Sequence, residues 1–324
     1  MDLGSSQENL NLTNNIGKKL TNNSKNDLYS KEESLNNKRR IIMKDVFELL
    51  KLNNSYNERR KEIKEYINKK KSYRTLSLTV ASTSLKFTKK IFTITPNGMI
   101  DGENDNCKDG IVLFGYEPID NIEEDIAEEN YKQYKSVYDF AFPLEKEYSI
   151  NLGEFPSFCI YFNTKDENFY IKDFNIGIGA LMKIKKYKIE NNTLINIGSN
   201  YLVICIEKEK LVIKIFNNII LENKENERKF ETKKFKIDTK KDNIITIGRS
   251  KKCDLSIEDM MMSKIQSSIK YNSKEKTFFL YDGSSEKESM NGTWVYIINP
   301  VLLYNNFVFK AEHTLFVVNL IQNK

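Results

Sequence analysis

Ile247-Gly248-Arg249-Ser250, Cys253-Asp254-Leu255, Ser263-Lys264-Ile265-Gln266 and Asn291-Gly292-Thr293-Trp294 are the stretches that set the fold expected of this chain. They put an Arg, a hydroxyl, a Lys and an Asn on three separate turns. The turns punctuate short runs in which apolar and polar residues alternate. Alternation with a period of two marks strands with one buried face. A guanidinium beside hydroxyl and ammonium donors suits a phosphate dianion, because hydrogen bonds between ionised partners are short, directional and strong.

Outward from these turns, strands are expected at Phe235–Ile237, Ile244–Ile247, Leu255–Ile257, Ser268–Tyr271, Phe278–Tyr281, Thr293–Ile298, Val308-Phe309 and Leu315–Leu320. So many short strands between residues 235 and 324 predict a two-sheet sandwich. A second set starts at residue 74. Leu76, Leu78 and Val80 alternate with polar neighbours, and Gly110–Gly115, Phe158–Phe162, Phe169–Ile171, Ala180–Ile184, Leu194–Ile197, Tyr201–Ile206 and Leu211–Phe216 continue the pattern around an acidic insertion at Glu117–Glu129. Ile42, Val46, Leu49 and Leu50 fall on one helical face. A break at Asn53-Asn54-Ser55 then leads into a charged segment with Ile63, Tyr66 and Ile67. This predicts a helical hairpin or a kinked helix docked on the first sandwich. Residues 1–37 are rich in Asn, Ser and Lys and have too little apolar area to offset chain entropy, so they are expected to be disordered.

The two strand sets repeat one another. Phe169–Asp173 matches Phe278–Asp282, Phe114-Gly115-Tyr116 matches Ile247-Gly248-Arg249, and Asp139–Phe142 matches Asp254–Ile257. The expected organisation is a tail over 1–37, a helical segment over 38–71, a sandwich over 72–221, a charged linker over 222–234 and a second sandwich over 235–324.

The order and spacing of the opening motifs resemble the forkhead-associated (FHA) family. The resemblance implies an all-β chain of two tandem FHA-like sandwiches, clear in the second repeat and degenerate in the first. It also implies a phosphothreonine-containing protein or peptide as partner. By resemblance, Arg249 grips the phosphate, Ser263 donates its hydroxyl, Lys264 adds charge and Asn291 pairs with the peptide backbone. Gly248, Gln266, Gly292 and Thr293 support them. Gln266 departs from the family's usual His, and Met290 stands where the family often has Thr or Ser. The bland alternatives are a surface ion pair for Arg249, a self-bonded turn for Ser263 and a plain Asn-Gly turn for Asn291. Trp294 and Met262 are expected in the core, with Met260 and Met261 exposed to a partner's side chains. The first repeat carries Tyr116 for the Arg, the turn Gly153–Ser157 with Glu154 and no basic partner, and Ile178-Gly179 for Asn-Gly. It is therefore expected to be structural, or to bind protein without phosphate.

Composition excludes other classes. The 324 residues, 40% hydrophobic and 30% charged, contain no run of the roughly 20 apolar residues a membrane span needs, and the N-terminus shows neither a secretory nor a transit pattern. Cys107, Cys159, Cys205 and Cys253 lie too far apart to pair as metal ligands. They read as reduced thiols and point to an intracellular protein, cytoplasmic or nuclear. His313 is the single histidine and precedes a strand. P-loop, kinase and nucleophile-elbow motifs are lacking, so neither enzyme activity nor a cofactor is expected. The net charge of +6 comes from scattered lysines and from runs at 38–40, 59–61 and 69–71. These read as a solvated helix face rather than a nucleic-acid site. A phosphate-independent scaffold using both sandwiches and the N-terminal helices is the alternative function.

Overall fold

The computed structural model describes residues 39–52, 55–83, 91–100, 108–118, 138–144, 155–175, 179–208, 210–217, 231–238, 240, 242–311 and 314–322. The expected tail, most of the acidic insertion, Cys107, Glu154, Ile178 and His313 lie outside them. Two helices come first: α1 over residues 39–49 and α2 (Tyr56–Lys69). Ser55 starts α2 with a capping box. Its hydroxyl accepts the Glu58 N–H while the Glu58 carboxylate accepts the Ser55 N–H, so two otherwise orphaned donors are satisfied.

The strands then run β1 (Arg74–Thr83), β2 (Ile91–Thr95), β3 (Gly98–Ile100), β4 (Ile111–Pro118), β5 (Phe140–Leu144), β6 (Phe158–Asn163) and β7 (Asn168–Asp173). Next are β8 (Ala180–Ile184), β9 (Lys186–Lys188), β10 (Thr193–Ile197), β11 (Asn200–Glu207), β12 (Lys210–Asn217) and β13 (Glu231–Lys236). The last group is β14 (Asn243–Gly248), β15 (Leu255–Ser256), β16 (Ser267–Asn272), β17 (Thr277–Asp282), β18 (Thr293–Tyr296), β19 (Val301–Leu302), β20 (Phe307–Ala311) and β21 (Thr314–Gln322). The charged segment expected as a linker ends in a strand, because β13 pairs with β12 from Lys210↔Lys236 to Ile215↔Glu231.

Three sheets form. One five-stranded sheet has the order β5-β4-β6-β7-β19, and the other has the same order in β15-β14-β16-β17-β9. An 11-stranded sheet, β13-β12-β11-β10-β18-β8-β20-β21-β1-β2-β3, contributes to both cores. Phe309 and Phe316 meet Phe158 and Phe114 of the first five-stranded sheet, with ring centroids 5.9 and 6.5 Å apart.

The sandwiches do not divide along the 222–234 segment. After β8 the chain crosses, through Lys185 alone, to the edge of β17. It then lays β10 to β12 into the far half of the large sheet. After β18 it crosses back, where β19 pairs with β7 and β20–β21 close against β8 and β1. The sandwich over β14–β18 is therefore one continuous piece of chain, 186–296, while the other is assembled from 74–184 and 301–322. The seam is the antiparallel pair β8–β18, from Thr293↔Ile184 to Tyr296↔Leu181. Side chains explain the choice of edge. On β17, Lys186 lies 4.3 Å from the Phe279 ring centroid and 5.7 Å from that of Tyr281, a favourable cation–π arrangement. The residue of β7 at the place of Tyr281 is Lys172, which would repel it.

α1 sits on the outer face of the first five-stranded sheet, while α2 turns Ile63, Tyr66 and Ile67 to the main core. Ile42, Met43, Val46, Phe47 and Leu50 pack with Ile111, Leu113, Cys159 and Tyr161 in a second apolar cluster. Arg39 latches α1 by donating to Asp139 at 3.1 Å and to the Ile111 carbonyl at 3.2 Å. Arg59 latches α2 to the carbonyls of Asp109 and Phe162. Burial outweighs the Arg39 charge at Asp139 and pushes its carboxyl up to about 6. On the other five-stranded sheet, the positions matching Leu113, Cys159 and Tyr161 are Thr246, Ser268 and Lys270, and the match of Ile111, Ile244, stands exposed.

Candidate functional site

At the end of β14 the chain turns away against the loop before β16. The Arg249 N–H donates to the Ser263 carbonyl and the Ser250 N–H to the Lys264 carbonyl, both at 3.1 Å. Gly248 makes this approach possible, since a Cβ there would stand 2.3 Å from the Lys264 oxygen. The third turn joins through the Ser263 hydroxyl, which accepts the Met290 N–H at 3.0 Å and keeps its own hydrogen to donate. Asn291 follows, and its amide donates to the Met261 carbonyl at 2.6 Å. Gly292 takes a left-handed φ of +77°, and a Cβ there would meet Lys183 Cε at 2.6 Å. Arg249, Lys264 and Asn291 are exposed and Ser263 is half-buried, on turns that the Ser263 backbone and hydroxyl tie into one rim of main chain.

Beneath the rim, Gln266 is fully buried and ties the Ser263 turn to the loop carrying Asn291. Its amide oxygen accepts the Ser263 N–H at 2.9 Å, and its amide nitrogen donates to Ser289 Oγ and to the Gly292 carbonyl at 2.8 Å. Sequence reasoning gave Gln266 a supporting place but not this bridging one. It also missed Asp282 and Ser289. Asp282 accepts from Ser289 Oγ at 2.6 Å, from the Ser289 N–H at 3.1 Å and from Thr293 Oγ1 at 2.8 Å, which fixes the loop carrying Asn291. The available signal was that an Asp ends both repeated strands, β7 and β17. Replacing Gln266 by Leu strands buried donors and acceptors, each worth about 1–3 kcal/mol. The expected loss is about 3 kcal/mol of stability, read as a lower midpoint in thermal unfolding.

The loop before Ser263 is braced by the β10–β11 turn of the same sandwich. Asp259 accepts from the Ser199 N–H and hydroxyl and from Asn200 Nδ2 at 2.8–2.9 Å, and these bonds help hold its carboxyl below the usual range despite partial burial. Met262 enters the core as expected, while Met260 and Met261 stand exposed. Trp294 differs from expectation. It is buried but belongs to neither apolar cluster. Its ring lies on the far side of β18 under Lys310, whose Nζ is 4.6 Å from the ring centroid, and its indole N–H donates to the Asn291 carbonyl at 3.0 Å. Burial pushes the Lys310 ammonium down to about 8. Val295, the next residue along β18, takes the core position.

The first sandwich is built differently at the matching place. Tyr116 is buried, and the Tyr138 ring fills the space over Gly115, where a Cβ would meet it at 2.5 Å. Phe155 and Phe174 stack edge to face at 5.5 Å and join the cluster under α1. Apolar rings stand where the other half has donors.

The model of the FHA domain matches residues 245–311. The chain carries an FHA domain. FHA domains are phosphopeptide-binding interaction modules. The match runs from β14 into β20, so it covers the whole Arg249–Asn291 rim but follows the chain across the seam into the other sandwich. No curated protein and no solved structure matches the chain. Among the described residues no helix is long and apolar enough to cross a membrane.

Proposed function

We propose that the chain is a phosphothreonine-dependent adaptor, acting inside the cell, in the cytoplasm or the nucleus, through the FHA rim at Arg249, Ser263, Lys264 and Asn291. The observation that carries this is the closure of three turns through Ser263. Its carbonyl holds the Arg249 amide and its hydroxyl holds the Met290 amide, beside Asn291. Arg249 offers a planar fork to the phosphate, Ser263 its hydroxyl, Lys264 its charge and Asn291 an amide to the peptide backbone. Preference for threonine over serine follows from the family resemblance. Charge-assisted bonds of about 1.5–3 kcal/mol each, set against the entropy of association, support an affinity on the order of micromolar. The first sandwich, with Tyr116, Phe155 and Phe174 in place of donors, serves as a structural partner or binds protein without phosphate.

Phosphothreonine arrays probed with the full chain, beside unphosphorylated copies, test this reading. Capture restricted to phosphorylated spots supports it. Equal capture of both favours a phosphate-independent scaffold. The second phosphate proton titrates at about pH 6, and no histidine lies between residues 243 and 311. Affinity is therefore expected to fall as pH drops from about 7.5 to about 5.5, because the dianion becomes a monoanion. A titration series in matched-salt buffers checks this.

A further inference from the structure

Lys310 belongs to the first sandwich and reaches into the second. It stands on β20, and its Nζ donates to Asn196 Oδ1 of β10 at 2.6 Å. Two strands, β8 and β18, separate β20 from β10 in the large sheet. Lys310 pairs with Leu181 of β8, and Asn196 pairs with Trp294 of β18, so the bond between them crosses the seam. Asn196 is buried and turned to receive the ammonium, because its own amide nitrogen donates to the Asn200 carbonyl at 3.0 Å. On the way the Lys310 Nζ passes 4.6 Å from the Trp294 ring centroid. The indole N–H of that ring donates to the Asn291 carbonyl at 3.0 Å. A second lysine of the first sandwich supports the same segment. Lys183 lays its stem against Gly292, where a Cβ would meet Cε at 2.6 Å.

We propose that Lys310 is a positioning residue of the phosphopeptide site: its ammonium, strapped to Asn196, seats the Trp294 indole, and the indole sets where Asn291 meets the peptide. A cation over an indole face is attracted by the ring quadrupole, and more so where water is kept away. Trp294 is 9% exposed and Lys310 is half-buried, so this contact is shielded. The strands of the site do not need Lys310 for their fold, since Ser263, Gln266 and Asp282 hold the turns within their own sandwich. The strap adds the placement of Asn291. The first sandwich thereby takes part in reading the peptide without touching it. The inference rests on the phosphopeptide reading of the rim and adds a part to that site.

The test is a double-mutant cycle on the full chain, read by calorimetric titration with an array-selected peptide in its phosphothreonine and threonine forms. Lys310→Met keeps an unbranched stem and removes the charge. It is expected to weaken phosphopeptide binding about fivefold, the worth of one shielded cation–π contact. Lys310→Arg can stack on the indole and donate to Asn196, and should restore most of the affinity. Trp294→Phe removes the indole N–H and should weaken binding on its own. In that background Lys310→Met should add nothing further, because the link to Asn291 is already cut. Trp294 is the single tryptophan, so its indole N–H gives one magnetic-resonance signal, which should shift as the phosphopeptide saturates the wild type. Wild-type affinity in Lys310→Met overturns the proposal. So does a loss of the same size in the Trp294→Phe background, or an indole signal that stays in place. If phosphate dependence holds through these results, only the strap falls. If the two peptide forms bind the wild type equally, the phosphopeptide reading falls and takes the strap's role with it.

Discussion

Replacing Arg249 by Ala is expected to weaken phosphothreonine peptide binding by about 30- to 150-fold, the loss of about 2–3 kcal/mol of charge-assisted bonding. The fold should not suffer. Arg249 is exposed, and the contacts that place it, from its own N–H to Ser263 and from Gly248 to the Lys264 backbone, belong to the main chain and survive the change. Ser263→Ala is the informative companion. It removes a donor from the rim and also the acceptor of the Met290 N–H, so it should reduce affinity and loosen the loop carrying Asn291 together. Arg249→Lys keeps the charge but not the planar fork, and should recover only part of the loss. Calorimetric titrations of the three variants, with thermal unfolding run on the same samples, read both quantities.

Ending the chain at residue 299 is expected to unfold the first sandwich and spare the site. Residues 301–322 supply β19, β20 and β21 to the sandwich that begins more than 200 residues earlier, at Arg74. Leu303, Phe307, Phe309, Ala311, Phe316 and Val318 are all 2% exposed or less. The larger of these side chains are each worth about 1.5–3 kcal/mol of burial, which together matches the 5–15 kcal/mol that holds a typical domain together. The continuous piece 186–296 keeps every strand from β9 to β18. Limited proteolysis of the shortened chain should therefore leave a resistant fragment close to residues 180–299. A fragment of residues 235–324, which contains the whole family match, lacks β9 to β12 and should be digested throughout.

Much of this was legible in the sequence because strand alternation and turn chemistry are local. Ile245 and Ile247 inward with Ile244 and Thr246 outward, or Phe278 and Leu280 inward with Phe279 outward, follow from a period of two. The pairing of Phe114-Gly115-Tyr116 with Ile247-Gly248-Arg249 has a matching geometry. Each stretch pairs in parallel with the strand after it, Phe114↔Phe140 and Ile247↔Leu255, and Asp139 and Asp254 accept the N–H of Leu113 and Thr246.

The exchange of strands was not legible. Alternation tells which face of a strand is buried but not which edge it joins. β9 and β19 are short, and the choice between β17 and β7 rests on contacts such as Lys186 on Phe279 that only the assembled sheets reveal. Gln266 was hidden for a similar reason. Its three partners lie 3 to 26 residues away and meet only when the turns close. Trp294 misled because a large apolar residue beside core positions reads as core. Its indole N–H needs a partner, and the Asn291 carbonyl on the other face of β18 supplies one.

The most direct measurement is a calorimetric titration of the full chain with one array-selected peptide in its phosphothreonine and threonine forms. The phosphopeptide should bind at one site per chain with a dissociation constant on the order of micromolar, and the unmodified peptide should give no measurable heat. Equal binding of the two forms, or two equivalent phosphopeptide sites per chain, would contradict the assignment of a single phosphate-reading rim to Arg249, Ser263 and Asn291.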